Sequence, residues 1–115
     1  MHIYEWNRVE KEQLNPLLAR QVIHSETMTV ARIYLRKGAV VPEHSHHNEQ
    51  ISMLERGSMR FVLEGVEHVM KAGEIMRVPP FLPHSVEALE DSVALDLFSP
   101  RRDDWISGDD AYLRK

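Results

Sequence analysis

The chain has 115 residues, the length of one ordinary domain, and its 43% apolar and 28% charged residues are typical of a folded globular protein. Its formal net charge of −4 offers no basic footprint, so neither nucleic acid nor an anionic membrane is expected as a partner. Because cysteine is absent, disulfide scaffolds, zinc–thiolate sites and thiol catalysis are excluded, and the seven histidines become the candidates for chemistry.

The N-terminal segment shows no targeting feature. Residues 1–6 lack a basic region followed by a long apolar run, and no stretch approaches the ~20 apolar residues that cross a bilayer. We therefore expect a soluble, cytoplasmic protein. Beyond this segment, Asn7 to Leu14 is predicted to form a helical turn before Pro16, and Gln21–His24 is predicted to be a short edge strand.

From Thr27 onward the pattern indicates β-structure, beginning with an alternating strand that ends at Gly38. Glycines and prolines then separate six short β-rich runs: Ile51–Glu55, Met59–Leu63, Val66–Met70, Ile75–Val78, His84–Leu89 and Val93–Phe98. Many short strands at this spacing predict an all-β fold, an antiparallel sandwich or a single small barrel. After Pro100 a helical turn is expected at Arg101–Trp105. We expect one domain over residues 1–115, with its barrel core at about 27–99.

Four residues have the spacing of a metal site. His44 and His46 lie two residues apart, so in an extended strand both side chains point to the same face. Gln50 has the same parity after a short bend, and His84 arrives from a distant strand after the proline-rich segment 79–83. Three imidazoles and one amide oxygen suit one divalent ion, such as nickel, zinc, iron, manganese or copper.

The same residues fall into two spaced motifs. The first reads Gly38, five residues, His44-Ser45-His46, three residues, Gln50, six residues, Gly57; the second reads Gly73, five residues, Pro79-Pro80-Phe81, two residues, His84, three residues, Ala88. This pattern resembles the cupin superfamily, with Gln50 in place of the usual Glu, Phe81 in place of Gly and Ala88 in place of Asn. The resemblance implies a jelly-roll barrel, also called a double-stranded β-helix, with short helical turns at its ends.

The glutamine changes the charge of the predicted site. Three neutral imidazoles and an amide leave the full +2 charge on the ion, which favours an anionic partner in a site of low dielectric. We therefore expect a substrate that carries a carboxylate. Glu49 is the competing ligand, but adjacent residues in a strand face opposite sides. The other four histidines have no partner spacing and are assigned structural roles: His2, His24, His47 and His68.

A second set of polar and aromatic residues follows the last predicted strand. Asp96 and Phe98 share parity, and Arg102 follows across the Ser99-Pro100 break. An acidic residue in an apolar strand is costly to bury unless it is paired or faces a wet cavity. The trio therefore offers a proton-transfer carboxylate, an aromatic platform and a guanidinium that grips a carboxylate bidentately. The alternative is a solvated strand end, with Asp96 at the surface, Phe98 in the core and Arg102 in a surface ion pair. Separately, Asp104 is expected in solvent and Trp105 is expected to pack against the outside of the barrel.

The segment 96–105, together with the glutamine and the tail 108–113, is similar to the small cupins of pectin and alginate catabolism. Those enzymes open the ring of 4,5-unsaturated monouronates to give 5-keto-4-deoxyuronate. The resemblance implies that His44, His46, Gln50 and His84 hold the metal. It also implies that Asp96, Phe98 and Arg102 act in catalysis on a small anionic sugar acid.

Three alternatives stay open at this point. The fold and metal would also suit a cupin dioxygenase or a sugar isomerase, and a non-enzymatic metal- or carbohydrate-binding cupin is the third possibility. A homodimer is expected at the level of the fold, through the predicted strand at Gln21–His24 or through Ile51 and Met53, because pairing removes exposed sheet edges.

Overall fold

The computed structural model describes residues 2–115 and consists mainly of ten antiparallel strands in two sheets. The six-stranded sheet has the order β1-β2-β3-β10-β5-β8, and the four-stranded sheet has the order β4-β9-β6-β7. The strands are β1 Glu12–Asn15, β2 Leu18–His24, β3 Thr29–Leu35, β4 Val40–His44, β5 Glu49–Arg56, β6 Ser58–Leu63, β7 Val66–Lys71, β8 Ile75–Val78, β9 His84–Ala88 and β10 Ser92–Ser99.

This arrangement confirms the predicted all-β fold of the jelly-roll type, with one difference. The two sheets remain separate and enclose the core between them, whereas a closed barrel was expected. Strand β10 is central to the larger sheet because it pairs with β3 on one side and β5 on the other.

The register of β10 brings polar side chains to the inner face of the larger sheet. Asp96 lies opposite Ser52 of β5, and Phe98 lies opposite Gln50 of the same strand. Because side chains alternate along a strand, residues 96 and 98 share one face, as do residues 50 and 52. Two pairs of side chains, from strands that are distant in sequence, are thereby aligned along one wall of the interior.

The N-terminal predictions need two corrections. Helical structure there is confined to a 3-10 turn at Trp6–Arg8, and the remainder of the predicted turn includes strand β1, which pairs with β2. The predicted short edge strand at 21–24 is the second half of β2, a seven-residue strand that lies between β1 and β3. Strand pairing with β2 therefore overrides the local helical pattern.

The C-terminal segment folds back toward the sheets. It contains the short helix α1 at Asp103–Ile106, which overlaps the predicted turn, and a 3-10 turn at Ala111–Leu113. Trp105 and Leu113 are both 8% exposed and belong to the hydrophobic core. Within residues 2–115, no helix has the length and apolar character needed to cross a membrane.

Candidate metal centre

Three histidines meet at one end of the space between the sheets. His44 is the last residue of β4 and pairs in register with His84, the first residue of β9. His46 follows two residues after His44, in the bend before β5. One ring nitrogen from each residue lies within 4.8 Å of the others, a spacing that could hold a metal ion. The structure thus brings together the three imidazoles that the sequence singled out.

Each of the three rings is oriented by the same kind of backbone hydrogen bond. The Nδ1 atoms of His44, His46 and His84 lie 2.8, 3.0 and 2.8 Å from the carbonyl oxygens of Pro42, Asn48 and Leu82 respectively. A carbonyl oxygen only accepts, so each Nδ1 carries the proton and each Nε2 keeps its lone pair. This arrangement fixes the tautomer that metal-ligating imidazoles use.

Burial keeps these imidazoles neutral. It lowers the pKa of His44 and of His46 to about 4, and it lowers the pKa of His84 as well. The neighbouring imidazoles and the Arg102 guanidinium act in the same direction on His44. All three rings are therefore unprotonated at Nε2 near neutral pH, the state that binds a cation.

Gln50 completes the donor set. It is 6% exposed, its Nε2 donates to Ser52 Oγ at 2.9 Å, and its Oε1 lies 3.1 Å from Nε2 of His46. Because His46 is neutral with its proton on Nδ1, this close pair consists of two acceptors. Nε2 of His84 is buried and has no hydrogen-bond partner within the described residues 2–115. A cation between these lone pairs satisfies all of them, so the residues present fit a divalent ion.

The competing carboxylate faces elsewhere. Glu49 accepts a hydrogen bond from Arg77 Nε at 2.7 Å, in an ion pair whose side chains are 43% and 60% exposed. Among the remaining histidines, His24 is bonded through Nδ1 to Thr29 Oγ1 at 2.8 Å and does not belong to the cluster.

The turn before His84 has Phe81 at the position where the cupin motif has glycine. Phe81 has a φ of 66°, in the left-handed region that favours glycine, and its side chain is exposed. Its backbone N–H donates to the carbonyl of His46 at 2.8 Å. This hydrogen bond ties the loop that delivers His84 to the loop that carries His46.

Asp96 lines the same cavity as His44 and His84. Its Oδ1 is buried and has no hydrogen-bond partner among residues 2–115. Burial raises the pKa of Asp96 to about 6, while the hydroxyl of Ser52 and the charge of Arg102 act in the opposite direction. A carboxylate with a pKa in this range can both accept and release a proton near neutral pH.

Arg102 is 1% exposed, so the alternative of a surface ion pair is wrong. Asp104 binds it bidentately, accepting from Nε at 3.0 Å and from Nη2 at 2.8 Å, and the Tyr112 hydroxyl accepts from Nη2 at 2.8 Å. The guanidinium also lies 4.8 Å from the ring centre of Phe98 and 4.3 Å from that of Trp105. Asp104 thus occupies the Nε–Nη2 edge of Arg102, with which the guanidinium was expected to bind a substrate carboxylate bidentately. The Nη1 atom of Arg102 remains for a ligand.

Phe98 and Trp105 form an aromatic wall beside the histidines. Phe98 is 3% exposed and meets Trp105 edge to face at 5.1 Å and His46 edge to face at 5.8 Å. The expectation that Trp105 packs outside the sheets is wrong, because its ring is buried against Phe98 and Arg102. Asp104, expected in solvent, is half-buried as the partner of Arg102.

The residues that line the cavity include three from β2 and the C-terminal tail that the sequence did not single out: Arg20, Tyr112 and Leu113. The ring of Tyr112 lies 4.6 Å from that of His44. Two sequence features could have indicated them: Arg20 is a charged residue within a strand, and Tyr112 is an aromatic residue in a polar tail.

Most of the buried side-chain polar atoms that lack a hydrogen-bond partner within residues 2–115 belong to residues around the cavity. Its enclosed volume is about 70 Å³. Of the six buried side-chain atoms without a hydrogen-bond partner in residues 2–115, four belong to residues that line it: Arg20, His84, Asp96 and Trp105. Buried polar groups are normally satisfied, so this concentration indicates a place for a polar ligand.

A two-sheet jelly roll with three histidines at one end of its interior defines the class of protein. The model of the Cupin domain family matches residues 31–99, and the chain belongs to this family. It is 32% identical to the pectin degradation protein KdgF of Dickeya dadantii (strain 3937), over 83% of this chain and 89% of that protein.

Solved structures agree with this assignment. KdgF from Halomonas sp. is 29% identical, with a TM-score of 0.85 over 91% of this chain and 98% of that one. An RmlC-like cupin from Shewanella frigidimarina NCIMB 400 is 28% identical, with a TM-score of 0.86 over 91% and 96% of the two chains.

Proposed function

We propose that the chain is a metal-dependent enzyme that opens the ring of 4,5-unsaturated monouronates, giving 5-keto-4-deoxyuronate, in the breakdown of uronate polysaccharides such as pectin. The observation that carries the proposal is that Asp96, whose Oδ1 has no hydrogen-bond partner within residues 2–115, lines one cavity with Arg102, His44 and His84. Similarity to KdgF, named in Dickeya dadantii for pectin degradation, supports the choice of substrate class.

The metal would be one divalent ion, nickel, zinc, iron, manganese or copper, held by Nε2 of the three histidines and Oε1 of Gln50. When bound, such an ion supplies a Lewis acid that attracts and polarises the carboxylate of the substrate. Because all four donors are neutral, the site keeps a positive charge that favours an anionic ligand.

Arg102 and Phe98 would orient the substrate. The Nη1 donor of Arg102 is left for a carboxylate oxygen once Asp104 and Tyr112 have taken Nε and Nη2. Phe98 packs beneath Arg102 and beside His46, so it offers an apolar surface for the face of the sugar ring. A side chain fixed in this way holds the reacting atoms in place, which contributes to rate through orientation.

Asp96 would move the protons. Near neutral pH its carboxylate takes a proton from water as the water oxygen bonds to C5, and Asp96 then delivers that proton to C4 of the former C4=C5 double bond. The resulting hemiketal then loses the bond between C5 and the ring oxygen. The proton of the C5 hydroxyl passes to that oxygen, which leaves a ketone at C5. General acid–base catalysis of this kind is worth roughly two to four powers of ten in rate.

The test mixes metal-loaded protein with unsaturated galacturonate and follows loss of the ultraviolet absorbance of the double bond. We expect loss faster than in buffer, and loss at the buffer rate with His46→Ala or Asp96→Ala. The matched control is His47→Ala, an exposed neighbour of His46, which should keep full activity. No acceleration by metal-loaded wild type would refute the reaction, and oxygen consumption during turnover would point to a dioxygenase.

A further inference from the structure

Arg20 is a buried arginine that lines the cavity. This residue of β2 is 3% exposed, and His44 and His84 line the same cavity. Its Nε donates to Glu12 Oε1 at 2.9 Å and its Nη2 donates to Asp110 Oδ2. Its third nitrogen, Nη1, is buried and has no hydrogen-bond partner among residues 2–115. A guanidinium with two of its nitrogens fixed by carboxylates is rigid, so the free nitrogen has a defined direction.

Trp105 adds a second unused donor beside it. The guanidinium of Arg20 lies 4.5 Å from the centre of the Trp105 ring, and Nε1 of Trp105 is also buried, with no partner in the part of the chain that the structure describes. Trp105 lines the same cavity. Buried Trp N–H groups usually find an acceptor, and two orphaned donors side by side are costly unless a ligand supplies acceptors. Neither residue belongs to the metal set or to the proposed catalytic set.

The charge around Arg20 indicates what kind of acceptor fits. Glu12 and Asp110 are shared with Arg114, whose Nη2 and Nε donate to them at 2.8 and 3.0 Å. Two carboxylates therefore balance two guanidiniums, and Arg20 has no surplus charge for a second anion. A neutral oxygen, from a hydroxyl or a carbonyl, matches the two remaining donors.

We propose that Arg20 and Trp105 form a subsite that donates hydrogen bonds to neutral oxygens of a bound sugar acid, while the metal and Arg102 hold its carboxylate. The subsite selects hydroxylated carboxylic acids over carboxylates that have no hydroxyl groups. The inference rests on the proposed function for the class of ligand, a sugar acid, and it does not depend on the ring-opening step.

The test measures binding by calorimetry with metal-loaded, full-length protein and two probes. One probe is galacturonate, and the other is cyclohexanecarboxylate, which has the carboxylate and a six-membered ring but no hydroxyl group. Trp105→Phe keeps the aromatic packing and removes only the N–H, and Arg20→Lys keeps a cation beside Asp110. We expect each variant to weaken galacturonate binding about tenfold and to change cyclohexanecarboxylate binding by less than about twofold.

Arg114→Gln is the matched control, because Arg114 shares both carboxylates with Arg20 but is 41% exposed and does not line the cavity. It should change neither affinity. Equal weakening of both probes by the two variants, or the same loss with Arg114→Gln, would mean that Arg20 acts only by tethering the tail, and the subsite would be refuted. Wild-type protein with no preference for galacturonate would refute it too.

The two proposals fail separately. Galacturonate binding that depends on Arg20 and Trp105, without ring opening of the unsaturated sugar, would support the subsite and refute the reaction. Ring opening in a protein whose two variants weaken both probes equally would support the reaction and refute the subsite.

Discussion

Nε2 of His46 lies 3.1 Å from Oε1 of Gln50, although neither atom carries a proton. The proton of His46 is on Nδ1, where it is donated to the Asn48 carbonyl, and the Gln50 amide nitrogen is turned toward Ser52. Two lone pairs at this distance repel each other in a buried site unless a cation lies between them. The pair therefore supports the proposal that Gln50 is a metal ligand.

Replacing that glutamine by glutamate should separate metal affinity from anion affinity. Gln50→Glu adds a negative charge to the donor set, so the ion should be held at least as tightly, while binding of galacturonate weakens by about tenfold because the net charge of the site falls. Chelator competition measures the first effect and calorimetry the second. Glu49→Gln, on the opposite face of the strand, is the control and should change neither. Unchanged galacturonate affinity in Gln50→Glu would contradict the electrostatic argument.

The histidine cluster should make the metal-free protein sensitive to acid. The pKa of His44 and of His46 is about 4 in the folded protein, against 6.5 for a free side chain. The unfolded chain therefore binds more protons between these values, and the free energy of unfolding should fall as pH decreases from about 6.5 to 4. Urea unfolding across this range measures the slope, and His44→Gln should reduce it. A stability independent of pH in this window would show that the imidazoles are not buried in the neutral form.

Ionisation of Asp96 should change the free energy of unfolding with pH in the opposite direction. Its folded pKa of about 6 lies above the ordinary value of 3.8, so ionisation destabilises the folded state as pH rises from about 4 to 6. Asp96→Asn should therefore raise the free energy of unfolding of the metal-free protein by about 2 kcal/mol at pH 7.5, and the gain should vanish below pH 4. Urea unfolding of both proteins at the two pH values provides the comparison. A destabilised Asp96→Asn at pH 7.5 would indicate that the carboxylate has a partner.

The parts of the site that sequence predicts well are those governed by strand alternation. His44, His46 and Gln50 share parity within one segment, and His84 follows from a motif with its own spacing. Asp96 and Phe98 also share parity, and the structure places both on the inner face.

The residues that sequence reasoning missed come from places where no periodicity applies. Trp105 lies in a helix of four residues and Tyr112 in a 3-10 turn of three, too short for an apolar face to be recognised. Arg20 was missed because β2 was predicted to begin at Gln21 and to lie at an edge. In the structure, Arg20 is an inner residue of a longer strand, and its charge is compensated by Glu12 and by Asp110 from the distant tail.

Arg102 should be needed for stability as well as for binding. Arg102→Ala removes the partner of Asp104 and the cation that packs on Phe98 and Trp105, so we expect a loss of about 3 kcal/mol in the free energy of unfolding. Arg101→Ala is the adjacent control, since the ion pair of Arg101 with Asp103 is exposed and should contribute less than about 0.5 kcal/mol. Denaturant unfolding measures both, and equal small losses would contradict the buried position of Arg102.

We propose that one divalent ion is held by three imidazoles and one amide oxygen, with His44 in β4, His46 in the connection to β5, Gln50 in β5 and His84 in β9. The most direct measurement is the metal content of the purified protein after incubation with nickel, zinc, iron, manganese or copper and removal of free ions. We predict one ion per chain in wild type and in His47→Ala, and a loss of the ion in His46→Ala and His84→Ala. Wild-type protein that retains none of these ions, or a His84→Ala variant that retains a full equivalent, would contradict the account.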